Sequence, residues 1–455
     1  MKTFNIYQLT FIKKSFLLTL TILIFISVDF AQIKGTTNLS DQSNLVTEFD
    51  VNGLKVLVKR RPNSQTVGAG LYFRGGARNL SDQNAGIESF ALNAASTGSK
   101  KYPRDVMRRE LASTGSSIGG SAGYDYSSLS MISTRANFER SWDVFTDVAL
   151  NPAFAPDDVE LTREAILSGL RNQEDAPDSY LESLEGKIIY QNTAYANDPS
   201  GSIETISKLT ANDLRAYHQK SLETSRLLLV IVGDLDPTVL KARITESFGK
   251  LPRGTYKDAP LPTLNFSAPT LDITSRSLPT NYIQGVFEAP SLSNPDFYAM
   301  RVATTILRDR VFEEVRVKRN LSYAPSADMG ALGSNTGNIY VTAVDANQAI
   351  SVMLNEINSL KTESVSDRDI SGVSGQFLTT YYIAQETNLA QVSELARYEL
   401  IGGGWKNSFE FINQVKKVKP EDVQRVSQKY IKNLRFIVLG SPASINRQIF
   451  LGQSE

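Results

Sequence analysis

This 455-residue chain carries three short segments near its N-terminus that together define its architecture: Gly75-Gly76-Ala77-Arg78-Asn79, Gly86-Ile87-Glu88-Ser89-Phe90-Ala91-Leu92-Asn93 and Thr97-Gly98-Ser99-Lys100-Lys101-Tyr102-Pro103. We predict a helix over about residues 85–96. Positions four residues apart in a helix lie on one face. The helix therefore places Ser89 and Asn93 together, with Leu92 beside them.

The three segments, in this order, resemble the front of a pitrilysin-type zinc peptidase (family M16, M16B-like, also called insulinase-like). In that family the helix carries the motif H-x-x-E-H, whose two histidines bind zinc and whose glutamate acts as general base. The resemblance places the histidine positions at Ser89 and Asn93 and the glutamate position at Leu92. Serine and asparagine are poor zinc ligands, and leucine cannot accept a proton.

The third zinc ligand of the family is a glutamate on a later helix. The matching sequence here is Thr162-Arg163-Glu164-Ala165-Ile166-Leu167-Ser168-Gly169-Leu170-Arg171, followed by Asn172-Gln173-Glu174-Asp175-Ala176-Pro177. Aligned on the Glu-Asp-x-Pro ending, the ligand position falls on Gly169, 76 residues after Asn93, and a supporting glutamate position falls on Thr162. The resemblance thus implies a degenerate metal site at Ser89, Leu92, Asn93 and Gly169.

Residue counts support the loss of the metal site. The chain has one histidine, His218, and no cysteine. We expect His218 to be a surface residue of an amphipathic helix. A shift of the alignment by one residue would bring in Glu88, but it would supply no histidine. The sequence therefore excludes zinc catalysis by this chain alone, and we expect no metal or other cofactor in it.

The N-terminus predicts export. Lys13 and Lys14 precede the apolar run from Phe16 to Val28, the pattern of a secretory signal peptide. We expect residues 1–31 to be removed at Ala31-Gln32 and the mature chain to lie in a bacterial periplasm; an uncleaved N-terminal membrane anchor is the alternative. The 48 basic and 48 acidic residues balance, which argues against a nucleic-acid partner.

The rest of the chain predicts two similar halves. Ser225-Arg226-Leu227-Leu228-Leu229-Val230-Ile231-Val232-Gly233 and Asn433-Leu434-Arg435-Phe436-Ile437-Val438-Leu439-Gly440 are apolar strands that end in Gly 207 residues apart. We predict an N-terminal domain at 45–250, a linker at 251–269 and a C-terminal domain at 270–445. The resemblance implies an α+β fold with two homologous M16-type domains, each a mostly antiparallel sheet with helices packed on one face.

The second half keeps a motif that the first has lost. The sequence Val311-Phe312-Glu313-Glu314-Val315-Arg316-Val317-Lys318-Arg319-Asn320-Leu321-Ser322-Tyr323 is similar to the C-terminal signature of the family. The resemblance implies that Arg316 and Tyr323 face a zinc site across a chamber, hold the substrate carbonyl and stabilise the oxyanion. From the residues alone, the favoured interpretation is Arg316 in a surface ion pair and Tyr323 as a packed aromatic side chain; the resemblance favours the substrate-binding role instead.

Three functions remain. The first is a noncatalytic subunit that is not active alone and that supplies Arg316 and Tyr323 to a heterodimeric zinc peptidase acting on unfolded peptides. Its partner is then an M16 relative with an intact H-x-x-E-H motif, which holds the zinc. The second is a structural scaffold subunit of an envelope complex. The third is a peptide-binding protein that does not cleave.

Overall fold

Two mixed sheets, one in each half of the chain, form the framework. The structure is a computed structural model that describes residues 39–452, and the predicted signal peptide (residues 1–31) lies outside the described residues. The strands of the first sheet are β1 (Val46–Val51), β2 (Leu54–Arg60), β3 (Thr66–Arg74), β4 (Ser117–Ala122), β5 (Tyr126–Thr134) and β6 (Leu227–Gly233). Those of the second are β7 (Thr270–Ser275), β8 (Asn281–Ala289), β9 (Ser326–Met329), β10 (Asn335–Ala343) and β11 (Arg435–Gly440).

Helices surround both sheets. In the first half they are α1 (Ile87–Ala95), α2 (Arg104–Thr114), α3 (Phe138–Leu150), α4 (Pro156–Asp175), α5 (Pro177–Ile189), α6 (Ile203–Lys208), α7 (Ala211–Ser221) and α8 (Pro237–Ser247). In the second half they are α9 (Phe297–Val311), α10 (Ala346–Thr362), α11 (Asp367–Ala384), α12 (Asn388–Ile401), α13 (Phe411–Val415), α14 (Pro420–Tyr430) and α15 (Arg447–Leu451). Among the described residues, no helix is long and apolar enough to cross a lipid bilayer.

The two sheets repeat one topology. The strand order is β1-β2-β6-β3-β5-β4 in the first and β7-β11-β8-β10-β9 in the second. In each, the strand that ends in the repeated glycine is an interior strand with one parallel and one antiparallel neighbour: β6 is parallel to β2 and antiparallel to β3, and β11 is parallel to β7 and antiparallel to β8. All other pairings are antiparallel. The predicted α+β class and the duplication are confirmed.

Each sheet is covered on one face by helices of its own half and on the other by a helix of the opposite half. Alternate residues of β6 face opposite sides. Leu229 and Ile231 join the core of the first half, whereas Leu228 and Val230 pack against α12 from the second half. In return, α5 from the first half contacts β8 and β11 of the second sheet. A strand that is apolar on both faces is buried on both, which explains why all of β6 is buried.

Two glycines let α12 approach the first sheet. A Cβ atom at Gly68 would lie 2.9 Å from the Leu389 backbone nitrogen, and one at Gly70 would lie 3.0 Å from Val392 Cγ1. The start of α12 is fixed by Asn388, whose Nδ2 donates to the Thr66 carbonyl oxygen at 2.6 Å. Helix α12 is therefore held to the first sheet both by close packing and by hydrogen bonds.

Residues 251–269 contain no helix or strand, and hydrogen bonds tie them to both halves. Arg78 Nη1 donates to the Ala259 carbonyl oxygen at 2.7 Å, and Asn433 Nδ2 donates to the Phe266 carbonyl oxygen at 2.6 Å. This segment therefore connects the two halves and is bound to both of them by hydrogen bonds.

The prediction of a surface histidine is wrong. His218 lies on α7 as expected, but it is buried, with Nε2 2.9 Å from the Ala149 carbonyl oxygen and its ring against Phe154. Burial lowers the pKa of His218 to about 4, although the hydrogen bond to Ala149 opposes the shift. The imidazole is therefore neutral at physiological pH and belongs to the core.

Candidate functional site

Helix α1 presents Ser89 and Asn93 on its partly exposed face. Asn93 Nδ2 donates to the Ser89 carbonyl oxygen at 2.8 Å and lies 3.4 Å from the Ser89 hydroxyl. The helix begins at Gly86, which has a left-handed φ of 86° that glycine adopts without strain. The Asn93 amide thus bonds to its own helix, in the place where an active relative would hold a histidine.

Leu92 points away from that face into the core. It is 3% exposed. A Cβ atom at Gly120 on β4 would lie only 2.7 Å from Leu92 Cβ, so the helix rests directly on the strand at this point. A carboxylate here would be desolvated without a partner. Leucine in the glutamate position therefore contributes to packing and not to proton transfer.

The remaining metal-site positions lie on α4, which packs against α1. Gly169 is exposed and supplies no side chain. Thr162 is buried, and its hydroxyl donates to the Asp158 carbonyl oxygen at 2.8 Å. Across residues 39–452, no group of three or more His, Cys, Asp or Glu residues could hold a metal ion. The residues present at these four positions do not fit zinc.

Glu88, the other acidic residue of α1, has a structural role. Its Oε2 atom lies 2.5 Å from Arg226 Nη2 and also accepts from the Tyr217 hydroxyl, and both charged side chains are buried. Arg226 is further held by the Ser221 hydroxyl at 2.6 Å and the Arg74 carbonyl oxygen at 3.1 Å. Burial alone would lower the pKa of Arg226, but the interactions with Glu88 and Tyr217 together outweigh it and raise the pKa. Glu88 is therefore committed to a buried ion pair.

Sequence reasoning missed this ion pair. The signals were present: an acid in an otherwise apolar helix, and an arginine directly before a fully apolar strand. What the sequence could not show is that positions 138 residues apart meet.

Arg316 and Tyr323 lie together at the end of α9. The helix widens there into a π-helical segment, Phe312–Val317, in which the Lys318 N–H donates to the Glu313 carbonyl oxygen at 2.9 Å. The Arg316 guanidinium carbon lies 4.1 Å from the centre of the Tyr323 ring and 5.0 Å from that of Phe312. π-Helical turns are frequently found at functional sites.

The Arg316–Tyr323 pair is open to solvent and has no acidic partner. Tyr323 is 78% exposed, so it is not a packed core aromatic. Within the described part of the chain, Arg316 forms no ion pair, because Glu314 is taken by Lys318 at 2.5 Å and by Arg319. These two residues lower the pKa of the Glu314 carboxyl. The guanidinium N–H groups and the phenol hydroxyl remain available as donors to a ligand.

The turn after the π-helical segment fixes Tyr323. Asn320 adopts a left-handed φ of 51°, a conformation that asparagine tolerates. The Leu321 N–H donates to the Val315 carbonyl oxygen at 2.9 Å, and Val315 is itself part of the core. The turn that carries Tyr323 is thus held by a backbone hydrogen bond to a core residue.

Comparison with known proteins identifies the scaffold. Residues 55–201 match the family described as insulinase (peptidase family M16), and residues 208–376 match the family described as peptidase M16 inactive domain. An uncharacterized zinc protease of Mycobacterium leprae is 22% identical over 86% of this chain and 91% of its own length. Subunit 1 of the mitochondrial cytochrome b-c1 complex of Bos taurus is 23% identical over 61% of this chain and 59% of its own length.

A solved structure shows the same fold. The crystal structure of a peptidase M16 inactive domain from Pseudomonas fluorescens superposes with a TM-score of 0.80 at 18% identity, covering 87% of this chain and 98% of that one. At this identity the likeness extends to the fold alone.

Proposed function

The chain belongs to the insulinase family of peptidases (family M16), and we propose that it is the noncatalytic subunit of a heterodimeric zinc peptidase. In this proposal its Arg316 and Tyr323 side chains bind the peptide substrate. A partner of the same family with an intact H-x-x-E-H motif supplies the zinc and the general base. The complex acts on unfolded peptides.

The observation that carries the proposal is the asymmetry between the two sites. The metal-site positions hold side chains that bond within their own helices or pack in the core. In the Arg316–Tyr323 pair, in contrast, Tyr323 is exposed, Arg316 is partly exposed, and neither is bonded to an acid among the described residues. An arginine without a function would gain by pairing with Glu314, as its neighbours Lys318 and Arg319 do.

The chemistry of the pair suits a peptide carbonyl. A guanidinium is a hydrogen-bond donor only, and a phenol hydroxyl can donate as well as accept. Because Arg316 stacks on the Tyr323 ring, the two donors are held together before substrate arrives. Donors fixed in this way stabilise negative charge that develops on a carbonyl oxygen.

The test is purification of the tagged chain from its native envelope, followed by a peptidase assay with and without chelator. We expect an M16 relative with H-x-x-E-H to copurify and to give chelator-sensitive cleavage. Arg316→Ala should lower the rate about 10²–10³-fold, the loss typical of one oxyanion donor. Tyr323→Phe keeps the stacked ring and should lower kcat without lowering the yield of complex.

Arg319→Ala is the matched control. Arg319 lies three residues away, is exposed and pairs with Glu314, so its loss removes the same charge from the same surface. Cleavage that responds equally to Arg316→Ala and Arg319→Ala would refute the specific role of Arg316. Failure to recover any zinc-bearing relative would refute the heterodimer.

A scaffold role is the second candidate, and the likeness to the cytochrome b-c1 subunit favours it. In a scaffold, Arg316 and Tyr323 bind no substrate. Recovery of a stable envelope assembly without peptidase activity, unchanged by Arg316→Ala, would support this function. A chain that binds unfolded peptides without cleaving them would instead give peptide binding that depends on Arg316 but no product.

The location we propose is the periplasm. It follows from Lys13, Lys14 and the apolar run Phe16–Val28. N-terminal sequencing of the chain from envelope fractions should give Gln32 as the first residue. An intact N-terminus in the membrane fraction would favour the uncleaved anchor.

A further inference from the structure

A cavity of about 390 Å³ lies in the second half, between α9, α11, α12 and α13. Aromatic rings form its walls: Phe377 meets Phe411 edge to face at 5.8 Å, and Tyr381 stacks on Phe411 at 6.5 Å. All three aromatic residues line the cavity. This volume falls within the range of small-molecule sites, and such sites combine an apolar lining with a few polar groups.

Arg301 is the charged group of the cavity. Its Nη1 donates to the Met329 carbonyl oxygen at 3.0 Å, and its guanidinium lies 5.7 Å from the centre of the Phe377 ring. None of the carboxylates in residues 39–452 forms an ion pair with it. The other arginine of the lining, Arg397, is already paired with Glu394 at 2.6 Å. The cavity therefore carries one uncompensated positive charge.

Arg301 is partly buried and lines the cavity. Burial lowers the pKa of its guanidinium; the charge of Asp328 opposes this shift, and the charges of Arg308 and Arg397 add to it. A guanidinium has five N–H donors, and among the described residues only the Met329 carbonyl oxygen accepts from it. Charge-assisted hydrogen bonds are the stronger ones, so an anionic ligand group in the cavity would gain from the unused donors.

Tyr398 belongs to the aromatic lining of the cavity but offers it no polar group. It is 0% exposed, and its hydroxyl is buried next to that of Tyr298 and has no surface on the cavity. An oxyanion in the cavity would therefore bond to Arg301.

We propose that this cavity binds a carboxylate with an apolar body, either a free aromatic or aliphatic acid or the C-terminal residue of a peptide. The carboxylate bonds to Arg301, and the apolar body lies against Phe377, Tyr381 and Phe411. The site is separate from the Arg316–Tyr323 pair, since 15 residues of helix, about 20 Å, divide Arg301 from Arg316. The inference does not depend on the proposed peptidase role.

The experiment compares matched probes by isothermal calorimetry on the full mature chain. 3-Phenylpropionate is expected to bind about 10–100-fold more tightly than its neutral amide, because a charged hydrogen bond is lost in the amide. The peptide Ala-Ala-Phe with a free C-terminus is compared with its C-terminal amide. If Ala-Ala-Phe binds more tightly than 3-phenylpropionate, the natural ligand is a peptide C-terminus; the opposite order identifies a free acid.

Two variants and one control test the assignment. Arg301→Met keeps the volume and should reduce the acid-to-amide ratio to about one. Arg308→Met is the control, because Arg308 lies on the same helix but pairs with Asp328, and it should leave the ratio unchanged. Ala384→Trp places a bulky ring at the exposed rim and should abolish binding without disturbing the core.

The proposal is overturned if acid and amide bind equally, or if neither binds up to the solubility limit. It is also overturned if the preference for the acid survives Arg301→Met. Should Arg301→Met fail to fold, Ala384→Trp decides, because binding that persists with the rim filled places the ligand elsewhere.

Discussion

Glu88→Gln should strongly destabilise the first half. Glu88 and Arg226 are both buried, with side chains 3% and 7% exposed and 2.5 Å between Oε2 and Nη2. Glutamine keeps the shape and an acceptor oxygen but leaves the Arg226 charge without a counterion. Removing one partner of a buried ion pair costs about 3–5 kcal/mol. The retained acceptor puts the expected loss at the lower end, about 3 kcal/mol.

Unfolding monitored by circular dichroism measures this loss. For a unit of this size, 1 kcal/mol corresponds to a shift in Tm of roughly 2–4 °C, so the transition of the first half should fall by about 6–12 °C. Replacing both partners, with Glu88→Leu and Arg226→Met, should recover much of the stability, because an apolar pair of similar volume avoids the desolvation cost. Chelator should leave all midpoints unchanged, since Glu88 takes part in no metal group of the described residues.

The matched control is Glu204→Gln. Glu204 pairs with Lys208 at 2.6 Å, but both side chains are more than 70% exposed. An exposed pair of this kind contributes little to stability, because solvent screens it. If Glu88→Gln costs no more than Glu204→Gln, or if the double replacement is no better than the single one, the buried pair does not stabilise this half as described.

Three further changes test the packing and the lost metal site. Gly68→Ala should destabilise the protein by about 1–3 kcal/mol in urea unfolding, because its Cβ would meet the Leu389 nitrogen at 2.9 Å. Lys59→Met should stabilise it by up to about 3 kcal/mol at pH 7, since burial lowers the pKa of Lys59 to about 8. The changes Ser89→His, Asn93→His and Gly169→Glu together should create a site that binds one Zn²⁺, measured by calorimetry. Without Gly169→Glu, the site should bind zinc roughly tenfold more weakly.

Controls separate these effects from general damage. Gly119→Ala adds a methyl group on β4 with nothing within 4 Å, so a loss equal to that of Gly68→Ala would refute the close approach of α12. Below pH 8, Lys59 is charged in both the folded and the unfolded state, so the full cost of burying the charge is present; this cost declines as the pH rises from 8 toward 10.5. The advantage of Lys59→Met must therefore shrink above pH 8; a constant advantage would contradict the burial argument. A restored triple variant that binds no more zinc than the native chain would show that Ser89, Asn93 and Gly169 do not converge.

Local spacing in the sequence predicted several features correctly. The helix that carries Ser89 and Asn93 and the strands that end at Gly233 and Gly440 appear where expected. Each depends on a pattern of a few residues that determines helix faces or strand burial. Long-period duplication and motif order were sufficient for the family and the α+β class, which the comparisons confirm.

Features that depend on long-range contacts could not be predicted in this way. His218 was expected at the surface and is buried, because α7 packs its histidine against Phe154 and the end of α3. The sequence marked Arg316 and Tyr323 as candidates, but their stacking and exposure follow from the π-helical segment. That segment is set by where Val311 and Val315 anchor in the core.

The sequence by itself determined that the chain has two homologous halves and that zinc ligands are missing, because residue identity at a known spacing is sufficient for both conclusions. Only the tertiary structure decided which charges are compensated. Glu88 meets Arg226 across 138 residues, whereas Arg301 meets no carboxylate in the described chain. Charge compensation depends on distance in space and on burial, and a linear sequence records neither.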